Sequence, residues 1–406
     1  MPSPSRRNLM RVAAGLVCGL AGCQSQPSST TPASPAPSST PRKTTRTNSP
    51  TDTDTASPTP REAGHPCEKS WNPSVRWKSE HGGSPAVVTD ESVYASSGNT
   101  LSAFDADSGA VQWHHEGEEF RGGTTPAVGG SVVIANTSRG LTAYDATSGR
   151  RTWQFRPAAE NAVVHTSPVV TRGRVFVTVR RESETDHPDS KNPHKLYGLS
   201  LDDGEPVVTA ELPDVIPKTI VTTDGRVYAT VSDARLLAFD PESGERQWTR
   251  QLGSGEVEAY WQRPAVAGDT LYLTVAGMMV ALSARDGTVH WRQAGRFVDN
   301  PAIGGDRLYS LAEDERTGGN PLVALDRSSG QKLWRAPLSA DRPDLTTASS
   351  EDVFVSGGIN GQEAIVAFDA ETGCVLGTYD SPGLHATVSD ETLYVGGHSM
   401  QALSLP

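Results

Sequence analysis

The sequence predicts an all-β protein, an eight-bladed β-propeller of four-stranded antiparallel blades. Three observations carry this. One hairpin recurs along the chain, as LSAFDADSGAVQW, LTAYDATSGRRTW, LLAFDPESGERQW, VALSARDGTVHW, VALDRSSGQKLW and IVAFDAETGCVLG. A second pair of short apolar strands precedes each copy, for example TPAVGGSVVIA and RPAVAGDTLYLTV. The composition is turn-rich, with 39 Gly, 29 Pro and 35% hydrophobic residues in a chain of 406, which suits many short strands better than helices.

The small residue before the apolar-Asp pair sets the phase of the repeat. It falls at Ala103, Ala143, Gly198, Ala238, Ala281, Ala324, Ala367 and Ala402, at steps of 40, 55, 40, 43, 43, 43 and 35 residues. Each unit is thus four β segments joined by polar turns, the signature of a propeller blade. Residues 71–406 average 42 per unit over eight units, a typical blade length. The last unit stops after its third strand, MQALSLP, while SVRWKSE near residue 77 has no preceding strands of its own. The two are expected to share one blade and close the ring, which removes open sheet edges.

The recurring Ala-x-Asp-x-x-x-Gly-x-x-x-Trp resembles the pyrroloquinoline-quinone (PQQ)-like propeller repeat. That repeat occurs in quinoprotein alcohol dehydrogenases and in β-barrel assembly lipoproteins of the BamB type. The resemblance covers residues 71–406 and implies that each Trp docks between neighbouring blades. Carried over, the docking residues are Trp113, Trp153, Trp248, Trp291 and Trp334, with Trp77 in the shared blade. Val208 and Gly377 stand where Trp is expected, so looser seams are expected there. The same resemblance implies, for a dehydrogenase, PQQ with a calcium ion held by Glu, Asn and Asp, an Asp base and an adjacent Cys-Cys pair. The cysteines here are Cys18, Cys23, Cys67 and Cys374, none adjacent, and the repeat aspartates fall in hairpin turns, where Asp accepts from backbone amides. No cofactor and no metal is therefore expected; PQQ and calcium belong to an alternative reading as a quinoprotein dehydrogenase.

Residues 1–22 read as an export address. Arg6-Arg7 resembles a twin-arginine signal, the apolar run behind it is too short to span a bilayer, and Leu20-Ala21-Gly22-Cys23 resembles a lipobox that would leave Cys23 lipidated. Residues 23–70 are Ser-, Thr- and Pro-rich and expected to stay disordered as a linker; residues 71–406 form the propeller. The chain would then be anchored at the outer face of the cytoplasmic membrane, touching the membrane through lipid alone. Its formal net charge of −12, with seven Lys among 36 basic residues, resembles salt-adapted, haloarchaeal-type proteins. No cluster of Lys and Arg suits nucleic acid.

Other catalytic patterns are missing: there is no Gly-x-Ser-x-Gly, phosphate loop or His-Glu-x-x-His. His114 and His115, adjacent on a strand, are expected to face opposite ways. His187 and His194 lie in the insertion over 181–195, read as a solvated loop or a weak cation site. Asn136-Thr137-Ser138 fits a glycosylation acceptor on an exposed loop. Cys67 and Cys374 are expected to pair as a disulfide across adjacent blades. What remains is a monomeric, non-catalytic platform for an envelope protein, glycan or small solute. The longer connections, RESETDHPDSKNPHK, AEDERTGGNP, GGINGQE and LGSGEVEAYWQ, are expected at one end of the ring, where binding usually resides. Lys218, Tyr260, Trp261, Arg263, Asn300 and His385 are the candidate contact residues there, Arg263 for an anionic or carbonyl group and Trp261 or Tyr260 for a flat or sugar surface.

Overall fold

The computed structural model describes residues 61–406 apart from 117–119, 121–123, 159–161, 182–193, 214–215, 224, 254–262, 339, 360, 382 and 390. Arg6, Arg7 and Cys23 lie outside the described residues. Eight sheets follow one another along the chain. Blade 1 comprises Ser84–Val88, Ser92–Ser96, Thr100–Asp105 and Val111–Glu116, paired antiparallel in sequence order. Blades 2 to 7 repeat this plan over Ala127–Phe155, Val169–Glu211, Pro217–Gln251, Ala265–Ala294, Ala302–Ala336 and Asp341–Asp380. Blade 8 takes His385–Ser389, Thr392–Gly396 and Met400–Ser404 from the end of the chain and Val75–Ser79 from near residue 77, as its outer strand.

The second and third strands of each blade are apolar on both faces because a neighbouring blade covers each side. Val93, Leu101, Ala103 and Phe104 of blade 1 have no exposure, nor do their counterparts Leu308, Leu322, Ala324 and Leu325 of blade 6. The core is therefore a set of seams between blades; Tyr309 and Trp334 of blade 6, for instance, pack with Val353, Val355 and Phe368 of blade 7.

The hairpin motif builds each seam. Asp105 Oδ1 accepts from the backbone N–H and hydroxyl of Ser108, and Asp145 from Ser148 in the same way. These bonds hold both carboxyls below their usual range. The turn then needs a residue at positive φ, supplied by Gly149 at 67°. A Cβ on Gly149 would sit 2.6 Å from Trp113 Cγ of the preceding blade, so the glycine serves both as turn and as seat for the indole. The indole N–H closes the contact: Trp113 Nε1 donates to Ala146 O at 2.8 Å, Trp153 to Leu201 O at 2.7 Å and Trp334 to Ala370 O at 3.1 Å. Trp77, Trp248 and Trp291 make the equivalent bonds to Ala106, Arg285 and Arg327.

The expectation of a loose seam at Gly377 is corrected by the structure. Residues 61–79 form a strap around the outside of blades 6 and 7 before entering blade 8. Arg61–Glu62 pairs parallel with Lys332–Ala336, and Pro66 bridges Val375. Cys67 and Cys374 are disulfide-bonded, with Cα atoms 5.3 Å apart. Trp71 N donates to Leu376 O, and its Nε1 donates to Ser404 O of blade 8 at 3.1 Å. That is the bond pattern of a docking Trp. The side chain is 5% exposed and packs against Phe354 and Tyr379, with ring centroids 5.6 and 6.2 Å away. Gly377 is required because a Cβ there would lie 2.4 Å from Trp71 O. The strap thus delivers the indole that the blade itself lacks. At Val208 no substitute arrives among the described residues; Val208 itself is buried and touches the space over Gly244.

Asn136 is the second correction. It lies within Val132–Thr137, not in an exposed loop, and is 2% exposed; its Nδ2 donates to Val164 O at 3.3 Å. The strand continues two residues further than the polar Asn-Thr-Ser suggested, so the folded chain does not offer this amide to a glycosylating enzyme. His194 is likewise buried, 6% exposed at the start of Lys195–Ser200, not part of a solvated loop, while His187 lies outside the described residues.

Candidate functional site at the channel mouth

Within a blade the chain runs up and down, so connections from second to third strand and from one blade to the next emerge at the same end of the ring. The connection over 312–321 belongs to this end, while residues 182–193 and 254–262 lie outside the described residues. GGINGQE is mostly strand: Asp352–Ile359 and Gln362–Asp369 continue the blade 7 ladder to a tight turn.

The innermost strands of neighbouring blades line the central channel. A cavity of about 390 Å³ is walled by Thr125, Val128, Val170, Val221 and Val266, with Arg263 at its edge. Thr125 N donates to Ser167 Oγ at 3.0 Å across blades 2 and 3. Arg263 N donates to Asn300 Oδ1, tying blade 5 to blade 6. Asn300 N in turn donates to Asp299 Oδ1 at 2.7 Å, and the Asp299 carbonyl accepts from Thr274 at 3.1 Å.

The chain of contacts goes on into blades 7 and 8. Asp344 lies within electrostatic reach of Asp299 and His385. Arg263, Asn300 and His385 thus share one rim with two aspartates that the sequence reading did not single out. Desolvation raises the Asp344 pKa, and His385 and Asp299 partly oppose that rise. Desolvation likewise lowers the pKa of Arg263. Water still reaches both side chains. Each stands inside the ring with protein on most sides, and that enclosure moves the pKa without sealing the group away.

Lys218 belongs to a different cluster. It faces His165, together with Arg180 and His194, and desolvation lowers its own pKa. Burial and these cations push His165 down to about 4. Tyr260 and Trp261 lie outside the described residues. His114 bonds Ser102 of its own blade while His115 bonds Gly149 O of the next, so the two rings part as strand geometry requires.

A calcium ion with a quinone would need convergent ionised carboxylates and free carbonyl oxygens. Asn300 Oδ1 is already engaged by Arg263 N, Asp299 Oδ1 by Asn300 N, and Asp344 has a raised pKa. Among the described residues no three His, Cys, Asp or Glu side chains are placed to hold a metal ion. The rim as built does not fit that ligand set.

Comparison with known proteins agrees with this geometry at the level of fold and repeat. The family described as outer membrane protein assembly factor BamB matches residues 70–185, 141–259, 256–335 and 318–404. BamB of Shewanella oneidensis is 25% identical over 198 residues, 46% of this chain and 47% of that protein. A quinoprotein ethanol dehydrogenase of Pseudomonas aeruginosa is 24% identical over 208 residues, 40% of this chain and 33% of that protein. The chain thus matches less than half the length of each of these relatives. BamB of Moraxella catarrhalis superimposes with a TM-score of 0.59 at 18% identity, covering 82% of this chain and all of that one; at that identity the likeness speaks for the fold alone. With its repeats matched almost continuously from residue 70 to 404, the chain belongs to the BamB family of PQQ-like repeat propellers.

Proposed function

We propose that this protein is a non-catalytic propeller that serves as a docking platform for an envelope protein, glycan or small solute, with the channel mouth as its contact face. The observation that carries this reading is the rim running from Arg263 and Asn300 through Asp299 and Asp344 to His385, contributed by four successive blades at or just before their first strands. Such a rim presents polar groups of both signs at fixed spacing, which favours recognition over group transfer. The repeat aspartates are occupied as turn caps. The BamB relatives are named as assembly factors, not as enzymes. Export with lipidation at Cys23 would anchor the platform at the outer face of the cytoplasmic membrane, its contact with the membrane being through lipid and the propeller monomeric.

The test is capture of partners from the native envelope at native salt by wild type and by Arg263→Glu with Asp344→Lys. A partner retained by wild type and lost by the double variant, with both proteins folded, supports the platform; identical capture by both overturns the channel-mouth assignment. The quinoprotein relatives favour a second reading, a PQQ- and calcium-dependent dehydrogenase. Stoichiometric, calcium-dependent PQQ uptake by calorimetry or absorbance would replace the platform with that enzyme.

A further inference from the structure

Beside the main channel, between blades 8, 1 and 2, lies a second half-open cavity of about 390 Å³. Its size falls in the range of small-molecule sites. Its lining combines the hydroxyl-bearing Ser84, Ser96 and Thr125 with the apolar Phe120, Pro126 and Ala135. His385 stands at the edge, and no Asp, Glu, Lys or Arg is among the described residues that line it.

Asn136 closes the cavity from blade 2. Its Nδ2 donates to Val164 O, which leaves Oδ1 as the amide atom without a donor. That oxygen is buried and has no hydrogen-bond partner, in a residue that is 2% exposed. Leaving a buried acceptor unsatisfied costs its desolvation, so such an atom calls for a donor from outside the chain. An uncharged donor suits the site, since a cation would find no counter-charge among the described lining residues and an anion would meet Oδ1 itself.

We infer that this cavity binds a neutral, polyhydroxylated ligand, a sugar unit whose hydroxyl donates to Asn136 Oδ1 and whose C–H face lies along Phe120. The lining hydroxyls supply groups able to donate or accept, and the aromatic offers the flat apolar surface that sugar rings cover. This deepens the platform reading by giving one of its solute classes a place, and it rests on that reading only for biological purpose.

The experiment is titration calorimetry of the intact protein with glucose, galactose, N-acetylglucosamine and trehalose, with glucuronate as charged control. At least one neutral sugar should bind one-to-one, and glucuronate at least tenfold more weakly. Gly98 lines the same cavity, and a Cβ there would meet no atom within 4 Å. Gly98→Trp is therefore expected to keep the melting temperature and weaken binding tenfold or more by filling the entrance. Asn136→Leu should weaken it by roughly tenfold as the acceptor is lost; if that variant does not fold, Gly98→Trp decides alone. No binding of any neutral sugar up to about 10 mM would mean that water satisfies Asn136, and the inference falls. Equal binding of glucuronate, or binding untouched by Gly98→Trp, would overturn it as well. Envelope capture that depends on Arg263 would survive any of these failures, so the two readings fail separately.

Discussion

Truncating Trp71 to alanine is the sharpest perturbation of this fold, because the residue lies outside every repeat and yet closes one seam. Its indole is almost fully buried between blades 7 and 8, among Phe354, Ile365, Leu376 and Leu393. Removing a buried Trp side chain costs about 3–5 kcal/mol. The lost Nε1 bond to Ser404 O and the two ring contacts fall within that figure, since the truncation series already includes them. Trp248, by contrast, is only half-buried, and Trp248→Ala should cost less, about 1–3 kcal/mol. The assay is equilibrium urea unfolding with the disulfide intact, paired with hydrogen exchange resolved along the chain. Trp71→Ala should lower the midpoint more than Trp248→Ala and speed exchange in Val375–Asp380 and Met400–Ser404. Gly377→Ala in the wild-type chain should also destabilise, by about 1–3 kcal/mol, because its Cβ would press on the strap backbone 2.4 Å away. A loss under about 1 kcal/mol for Trp71→Ala, with exchange unchanged across the seam, would refute the idea that the strap replaces a missing repeat residue.

Three further outcomes are expected. Cys67→Ala with Cys374→Ala should destabilise the chain; the bond spans 307 residues, for which the chain-entropy estimate is at most on the order of 5–6 kcal/mol, and unchanged urea midpoints would show that strap pairing suffices. Gly149→Ala should cost about 2–4 kcal/mol, since its φ is 67° and its Cβ would strike Trp113; thermal melting measures it, and a neutral result would mean that the turn can flip. Asp352 is 4% exposed, and burial lifts its pKa to about 6. The folded chain then holds the proton more tightly than the unfolded one, so this group adds stability as pH falls from about 6 towards 4 and costs up to about 3 kcal/mol at neutral pH. Asp352→Asn should raise the melting temperature near pH 7.5 and lose that advantage near pH 4; a pH-independent difference would refute the assignment.

The blades were legible because their signals are short-range and redundant. Strand alternation, the Asp-capped turn and the Gly-to-Trp spacing each mark the same hairpin, so errors in one are corrected by the others. Trp71 escaped notice because it sits in WNPS, a stretch without strand pattern, and its partner Gly377 is 306 positions away. A signal did exist: of eight Trp in the chain, six have a repeat slot, and one repeat slot holds Gly. The rim was legible only in part. Arg263, Asn300 and His385 follow from aligning first strands, but Asp344 lies in Asp341–Ala348, whose register against Asp352–Ile359 shifts twice. An alignment by spacing alone therefore does not place its carboxyl. Asn136 misled for the opposite reason: a polar tripeptide read as loop is the end of a strand whose amide is buried against Val164 O.

The strap and the mouth use different parts of the same blades. Residues 61–71 follow outer strands, at Trp334, Arg335, Val375 and Leu376, whereas Arg263, Asn300, Asp344 and His385 stand at or near the inner ones. In a four-stranded blade these edges are separated by the two buried central strands, which have no polar freedom to rearrange: Leu322, Ala324 and Tyr309 in blade 6, and Val353, Ile365 and Phe368 in blade 7, are fully or almost fully enclosed. Close-packed interiors of this kind shift between discrete arrangements or not at all. A partner gripping the rim therefore has no need to displace the strap, and loosening the strap should leave affinity at the rim unchanged until the ring itself opens. That separation is what makes the stability variants at Trp71 and Cys67 usable as controls for the binding variants at Arg263 and Gly98.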